Sequence, residues 1–305
     1  MRPLAYIMTP VIILTIILAA RFVTWDAIKG KDPQAEAALQ AGTTALRNWK
    51  LSHAITAFTQ AITREPTYAE AYIKRGLAYY RAGRYEAAIT DYTRTLDLNR
   101  YRADAYASRG DAHRALGNTQ QAIADYSDSL KNRWNAHALR HRAYIYLEQN
   151  AAQKALTDYA ELIKRQPNAT AYYARGNAYR RLSTDTTTET ETEPEIEKGT
   201  LRLALTDLDQ AIDLEQRFAS AYICRAQVYE RLGDTRAADA DYRQASKFLS
   251  EALQTWQGDP NGRIPLHLWR AVAHQKLGET ENAATDLRET YRGIRNFFLK
   301  SYAKL

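Results

Sequence analysis

The chain has 305 residues, of which 45% are hydrophobic and 25% charged, with a formal net charge of +7 and a pI near 9.3. A single cysteine, Cys224, excludes a disulfide framework and a cysteine-based metal site. The basic balance bears on association, favouring acidic partners or an anionic surface, and says nothing of fold.

Residues 3–20, PLAYIMTPVIILTIILAA, carry no charged side chain. At about 1.5 Å per residue this run approaches the lower limit for a membrane-spanning helix, and membrane helices tolerate a residue such as Pro10. Arg2, the apolar run and Ala19-Ala20 also have the outline of a cleaved signal peptide. Leu18 makes an untidy cleavage site, however, and the run is long for a signal. The preferred reading is a single-pass membrane anchor over 1–23, with a signal peptide as the alternative and a buried soluble helix as the third. Counting Lys and Arg, with Arg2 before the span and Arg21, Lys29 and Lys31 after it, leans slightly toward a cytoplasmic main body. Residues 24–34 form a linker in which Trp25 is placed to act as an interfacial anchor.

From residue 35 the chain repeats itself. Ala54, Ala88, Ala122 and Ala155 follow one another at 34, 34 and 33 residues, and Ala204, Ala238 and Ala283 continue the series. A small residue precedes each: Gly42, Gly76, Gly110, Ala143, Gly176, Ala226 and Ala271. A large one follows four residues later: Phe58, Tyr92, Tyr126, Tyr159, Leu208, Tyr242 and Leu287. Each unit reads as two amphipathic helices joined at a glycine such as Gly83 or Gly117, the residue that enters the left-handed region cheaply. A fixed period of this length means a solenoid, and the small residues let helix axes approach.

The pattern resembles the tetratricopeptide repeat: small at position 8, Ala at 20, aromatic at 24, small at 27 and Pro at 32. The first unit, starting at Ala35, matches all five with Gly42, Ala54, Phe58, Ala61 and Pro66. The fourth has Ala143, Ala155, Tyr159 and Pro167, with Leu162 a departure; elsewhere Arg100, Trp134 and Gln216 stand at the proline position. The resemblance implies an all-α, right-handed superhelical solenoid of about seven helix-turn-helix repeats over 35–293, with a concave face that binds partner segments. One feature is this chain's own. Position 7 is Arg75, Arg109, Arg142, Arg175, Arg225 and Arg270 in repeats two to seven, and position 23 is Asp91, Asp125, Asp158, Asp207, Asp241 and Asp286. Repeat one has Ala41 and Ala57, so both charges are lost together, which predicts a ladder of semi-buried salt bridges between packed helices.

Two steps exceed the period. The step from Ala155 to Ala204 is 49 residues, and its excess is residues 184–199, TDTTTETETEPEIEKG. This acidic, threonine-rich insertion falls between the helices of repeat five and reads as a solvated loop, with a modifiable tether or an acidic lid as alternatives. Asp185, Glu189, Glu191, Glu193, Glu195 and Glu197 against Lys198 give it −5, so the rest of the chain carries +12. The second insertion, at about 250–263, lies before repeat seven; Lys247 to Trp256 is expected to continue the preceding helix, with a turn-rich break at 257–262. Residues 294–305 read as a separate C-terminal capping helix, since a solenoid's last face needs cover.

No phosphate-cradling loop, nucleophile elbow or catalytic pairing is present. His137 and His141 lie four apart on one helix face without further zinc ligands, so neither a metal nor another cofactor is expected. The resemblance implies that positions 2, 5, 9, 12 and 13 of each first helix face the groove. These include Tyr80, Arg81, Arg114, Arg140, Tyr144, Tyr173, Asn177, Arg180 and Arg181. Arginine and aromatic side chains at exposed positions suit protein recognition. The carboxylate-holding residues of chaperone-binding members are not matched, because Leu39, Thr43, Lys74, Asp104 and Ser108 stand at or beside those positions. The expected function is a non-enzymatic, membrane-anchored scaffold that holds a protein partner, possessing acidic segments, in its groove and aids assembly of a membrane or envelope complex. The alternative is a permanent structural subunit of such a complex. Nucleic acid is not an expected partner.

Overall fold

The computed structural model describes residues 32–183, 194–258 and 260–302, and among these the secondary structure is helical, with fourteen α-helices and one 3-10 turn. The apolar stretch 3–20 lies outside the described residues. Among those described, no helix is long and apolar enough to cross a membrane. The described residues gather into two compact units, divided between Trp134 and Asn135. The boundary falls within the one step, from Ala122 to Ala155, where the period shortens to 33.

The first unit holds three helix pairs: α1 (Pro33–Arg47) with α2 (Leu51–Arg64), α3 (Ala69–Arg81) with α4 (Tyr85–Leu98), and α5 (Ala103–Ala115) with α6 (Thr119–Asn132). Asp32 caps α1 by accepting the Gln34 N–H at 2.8 Å, and Pro33 supplies a first helical residue with no amide to satisfy. Each first helix ends in a left-handed residue followed by a 6→1 backbone bond, as in Arg84 N–H to Tyr79 O at 2.9 Å and Asn118 N–H to His113 O at 2.9 Å. Gly83 and Gly117 fill that position at φ 74° and 77°. In the first pair the same place is held by Trp49 at φ 57°, a conformation that strains a bulky side chain.

Close approach explains the small-to-aromatic rule. A Cβ built on Gly76 would lie 2.7 Å from Cε1 of Tyr92, so the ring lies directly on the helix backbone. Gly42 meets Phe58 and Gly110 meets Tyr126 in the same way. Ala54, Ala88 and Ala122 are fully buried beside these rings.

The second unit holds α7 (Ala136–Glu148) with α8 (Ala152–Arg165), α9 (Ala169–Leu182) with α10 (Pro194–Leu214), α11 (Ala219–Leu232) with α12 (Thr235–Thr255), and α13 (Ile264–Lys276) with α14 (Thr280–Tyr302). Two elements differ from the sequence-based expectation. Residues 194–199, the last part of the acidic insertion, form the first turns of α10 and not loop. Pro194 opens that helix and Glu195 and Glu197 lie in its first turn, where they complement the positive end of the dipole. Residues 294–302 are no separate cap; they continue α14 as one 23-residue helix. Gly293, inside that helix, is a close contact: its Cβ would lie 2.6 Å from Cγ1 of Ile264. Helix α12 does run on to Thr255, followed by the 3-10 turn Pro260–Arg263.

Candidate partner-binding faces

The six arginines and six aspartates meet in pairs. Arg75 Nε and Nη2 donate to the two carboxylate oxygens of Asp91, both at 2.8 Å. The shortest contacts of the others are 2.7 Å for Arg109–Asp125, Arg142–Asp158 and Arg175–Asp207, 2.8 Å for Arg225–Asp241 and 2.6 Å for Arg270–Asp286. The aspartates are buried and the arginines partly so, with Asp91 only 3% exposed. In Asp286 burial alone would raise the carboxyl, yet hydrogen bonds from Arg270 and His267 hold it below the usual carboxylate range.

The remaining guanidinium nitrogen explains the missing first pair. Nη1 of Arg75 donates to Thr59 at 3.0 Å, and Nη1 of Arg109 to Thr93 at 3.1 Å, each on the preceding repeat. In the second unit Nη1 of Arg225 reaches Asp209 at 2.7 Å, and that of Arg270 reaches Ser250 at 3.0 Å. The pair therefore belongs to the junction with the repeat before. Ala41 and Ala57 line an open cleft at the start of the first unit, where the described residues contain no preceding repeat.

The groove candidates divide into half-buried and exposed side chains. In the first unit Tyr126 Oη donates to Asp111 at 2.7 Å, and Arg114 is half-buried beside Tyr80 and Tyr126. Burial, reinforced by Asp111, pushes the Tyr126 hydroxyl well above its usual range, so it stays a neutral donor. Tyr80 packs on Tyr85 with ring centres 5.4 Å apart, and burial raises it too. Arg81 is exposed; its guanidinium lies 5.0 Å over the Trp49 ring and reaches Leu46 O at 3.4 Å.

In the second unit Arg180 donates twice to Asn177 Oδ1, at 2.8 and 3.2 Å, and the buried Cys224 thiol lies 3.7 Å from the same oxygen. Burial raises the Cys224 thiol, with Arg180 opposing. Tyr173 packs on Phe218, ring centres 5.1 Å apart, and burial pushes its hydroxyl up to about 12. Arg181 donates to Asn150 Oδ1 at 3.3 Å. Arg140 is exposed, and Tyr144, one turn on, is 47% exposed. Tyr173 is half-buried on α9, and Tyr159 on α8 is buried, which raises its hydroxyl. The rings of His137 and His141 lie 4.2 Å apart along α7, tilted by 58°.

Sequence reasoning missed Arg231, at position 13 of the sixth repeat. Its Nη1 donates to Ser183 Oγ at 2.6 Å and Arg180 O at 3.1 Å, while Nη2 donates to Ser183 O at 2.8 Å and to Glu197. One guanidinium thus fastens the end of α9 and the first turn of α10, the two stems of the insertion. The sequence carries no distinct signal for it, since position 13 is also basic at Arg47, Arg81, Arg181 and Lys276.

A model of the tetratricopeptide repeat matches residues 39–107, 73–137, 107–169 and 140–186, and a second model of that repeat matches 219–248. This chain belongs to the tetratricopeptide repeat family. No curated protein matches over the chain. Among solved structures, a tetratricopeptide repeat protein from Parabacteroides merdae shares 17% identity at a TM-score of 0.61, over 86% of this chain and 93% of that one. YrrB, described as a tetratricopeptide repeat protein with an unusual peptide-binding site, shares 18% identity at 0.52, over 65% and 94%. MamA from Desulfovibrio magneticus RS-1 shares 19% at 0.52, over 62% and 97%. At these identities the likeness shows the fold alone. Tetratricopeptide repeat proteins commonly mediate protein–protein interaction and are typically non-catalytic scaffolds.

Proposed function

We propose that this tetratricopeptide repeat protein is a non-catalytic scaffold, held at a membrane by its N-terminal segment, that grips a segment of a protein partner on its first-helix faces and aids assembly of a membrane or envelope complex. The observation that carries the reading is the exposure of Arg140 and Tyr144 one turn apart on α7. An exposed arginine and tyrosine one turn apart offer a cation for an acidic segment and a large contact area. The peptide-binding site ascribed to YrrB supports such a use of the fold. Arg114 and Arg180 are less available, since each is half-buried and held by its neighbours.

The test is purification of the full-length protein from native membranes beside an Arg140→Ala/Tyr144→Ala variant of equal thermal stability. Selective loss of a partner from the variant supports groove binding; unchanged partners refute it. The alternative, a permanent structural subunit, draws on α14, where Leu287, Tyr291 and Ile294 leave an apolar stripe exposed. A complex lost on Tyr291→Lys and retained by the α7 variant would favour that reading.

A further inference from the structure

The turns joining the helices of the first two repeats carry exposed cations and an exposed indole, with Arg84 lying 4.6 Å over the Tyr79 ring. Arg47, Trp49 and Lys50 in one turn, and Arg81 and Arg84 in the next, are all exposed. Trp49 is 68% exposed and occupies the left-handed position at which four other repeats place a glycine. It contacts the Arg81 guanidinium and thereby ties the two turns together. Lys50 and Arg84 are the N-caps of α2 and α4, and neither makes a side-chain capping bond. Asn118 and Asp234 stand at the equivalent position in later repeats, and there Asp234 does cap its helix. A cation at a helix N-terminus opposes the dipole and leaves the first amides uncapped. In three places, then, these two turns forgo the locally favoured residue and gain exposed positive charge and an exposed indole. Residues 47–50 and 81–84 include no acid, and Glu86 follows in the first turn of α4. In the third repeat the same turn, Ala115 to Asn118, carries no charge, and the later turns that carry Arg231 and Lys276 also carry Asp234 and Glu279.

We propose that this edge docks on the phosphate-bearing headgroups of an anionic bilayer, with Arg47, Lys50, Arg81 and Arg84 as the cationic contacts and Trp49 entering the interface. The inference rests in part on the reading of residues 3–20 as a membrane anchor. Tryptophan with flanking Lys and Arg is the composition that favours a membrane–water interface. Chain length permits the arrangement. Residues 21–32 reach roughly 40 Å when extended, whereas α1, with 15 residues, spans only about 22 Å. The edge at the far end of α1 therefore lies within reach of a bilayer holding residues 3–20. A surface-bound edge also fixes how the repeats face their partner.

The test uses the full chain in nanodiscs of phosphatidylcholine alone or with phosphatidylglycerol. An environment-sensitive fluorophore is placed by Asn48→Cys, or by Asn118→Cys in the uncharged third turn, and read against lipid-borne quenchers. Quenching at 48 in the phosphatidylglycerol discs, absent at 118 and lost in Lys50→Glu/Arg84→Glu, is the expected result. Removing one cation is expected to weaken binding to phosphatidylglycerol vesicles roughly five-fold at low salt. Absence of quenching at 48 in both discs, or equal quenching at 48 and 118, overturns the proposal, as does binding of polyglutamate but not vesicles. Retention of the chain in discs after a high-salt wash reports the anchor separately, so failure of the anchor and failure of the edge are distinguishable.

Discussion

Replacing Asp91 by alanine removes both hydrogen bonds, at 2.8 Å each, that close the Arg75 guanidinium. The carboxylate side chain is 4% exposed and the arginine 17%, so little water can enter to replace what is lost. Breaking a fully buried pair costs about 3–5 kcal/mol. Arg75 keeps its Thr59 bond and some solvent, which brings the expectation to about 2–4 kcal/mol. The double variant Arg75→Met/Asp91→Leu leaves no charge stranded and is expected to lose much less than the two single variants combined. Urea denaturation followed by helical circular dichroism measures each value, and amide exchange in α3 and α4 reports where the loss falls. Loss confined to under about 0.5 kcal/mol in Asp91→Ala, or a double variant equal to the sum of the singles, would refute the reasoning.

Gly76→Ala forces a methyl to within 2.7 Å of Tyr92 and is expected to destabilise by about 1–2 kcal/mol, the overpacking cost less the helix-propensity gain. Gly199→Ala, in α10 with nothing within 4 Å, is expected to stabilise, and thermal melts of both variants check the contrast. Burial holds His113 below the ordinary imidazole range, with Asp125 opposing and Arg109 assisting. Below about pH 6.5 the unfolded chain therefore takes a proton that the native state resists, so stability falls with pH through that window. His113→Gln is expected to flatten that slope in denaturation curves collected across it. Burial raises the Cys224 thiol, so it is expected to resist thiol reagents at pH 8 until the chain unfolds, which a timed labelling assay in urea reads directly.

The fold is legible because one constraint repeats: each aromatic at position 24 needs a small residue on the facing helix, and Gly42 with Phe58 or Gly76 with Tyr92 state it repeatedly. The arginine–aspartate alternation is legible for a related reason, since Ala41 and Ala57 lose both members together. The insertion and the C-terminus are harder because composition and local cues mislead there. Glu195 and Glu197 read as solvated acid, yet at a helix start they favour helix, and Arg231 on another repeat holds Glu197. The residues from 294 read as a separate cap, whereas α14 runs on through Gly293, which packs against Ile264. Within the groove, register places a side chain on a face but not whether a neighbour already holds it. Arg180 and Arg140 look alike in sequence, and only the contacts of Asn177 and the exposure of α7 separate them.

The central claim is that the α7 face holds a partner segment, and site-specific photo-crosslinking in native membranes tests it most directly. A photoreactive residue at position 144 is expected to give a discrete adduct that Arg140→Ala abolishes, while one at the exposed position 243 on α12 gives none. Equal adducts at 144 and 243, or an adduct at 144 indifferent to Arg140, would contradict the account.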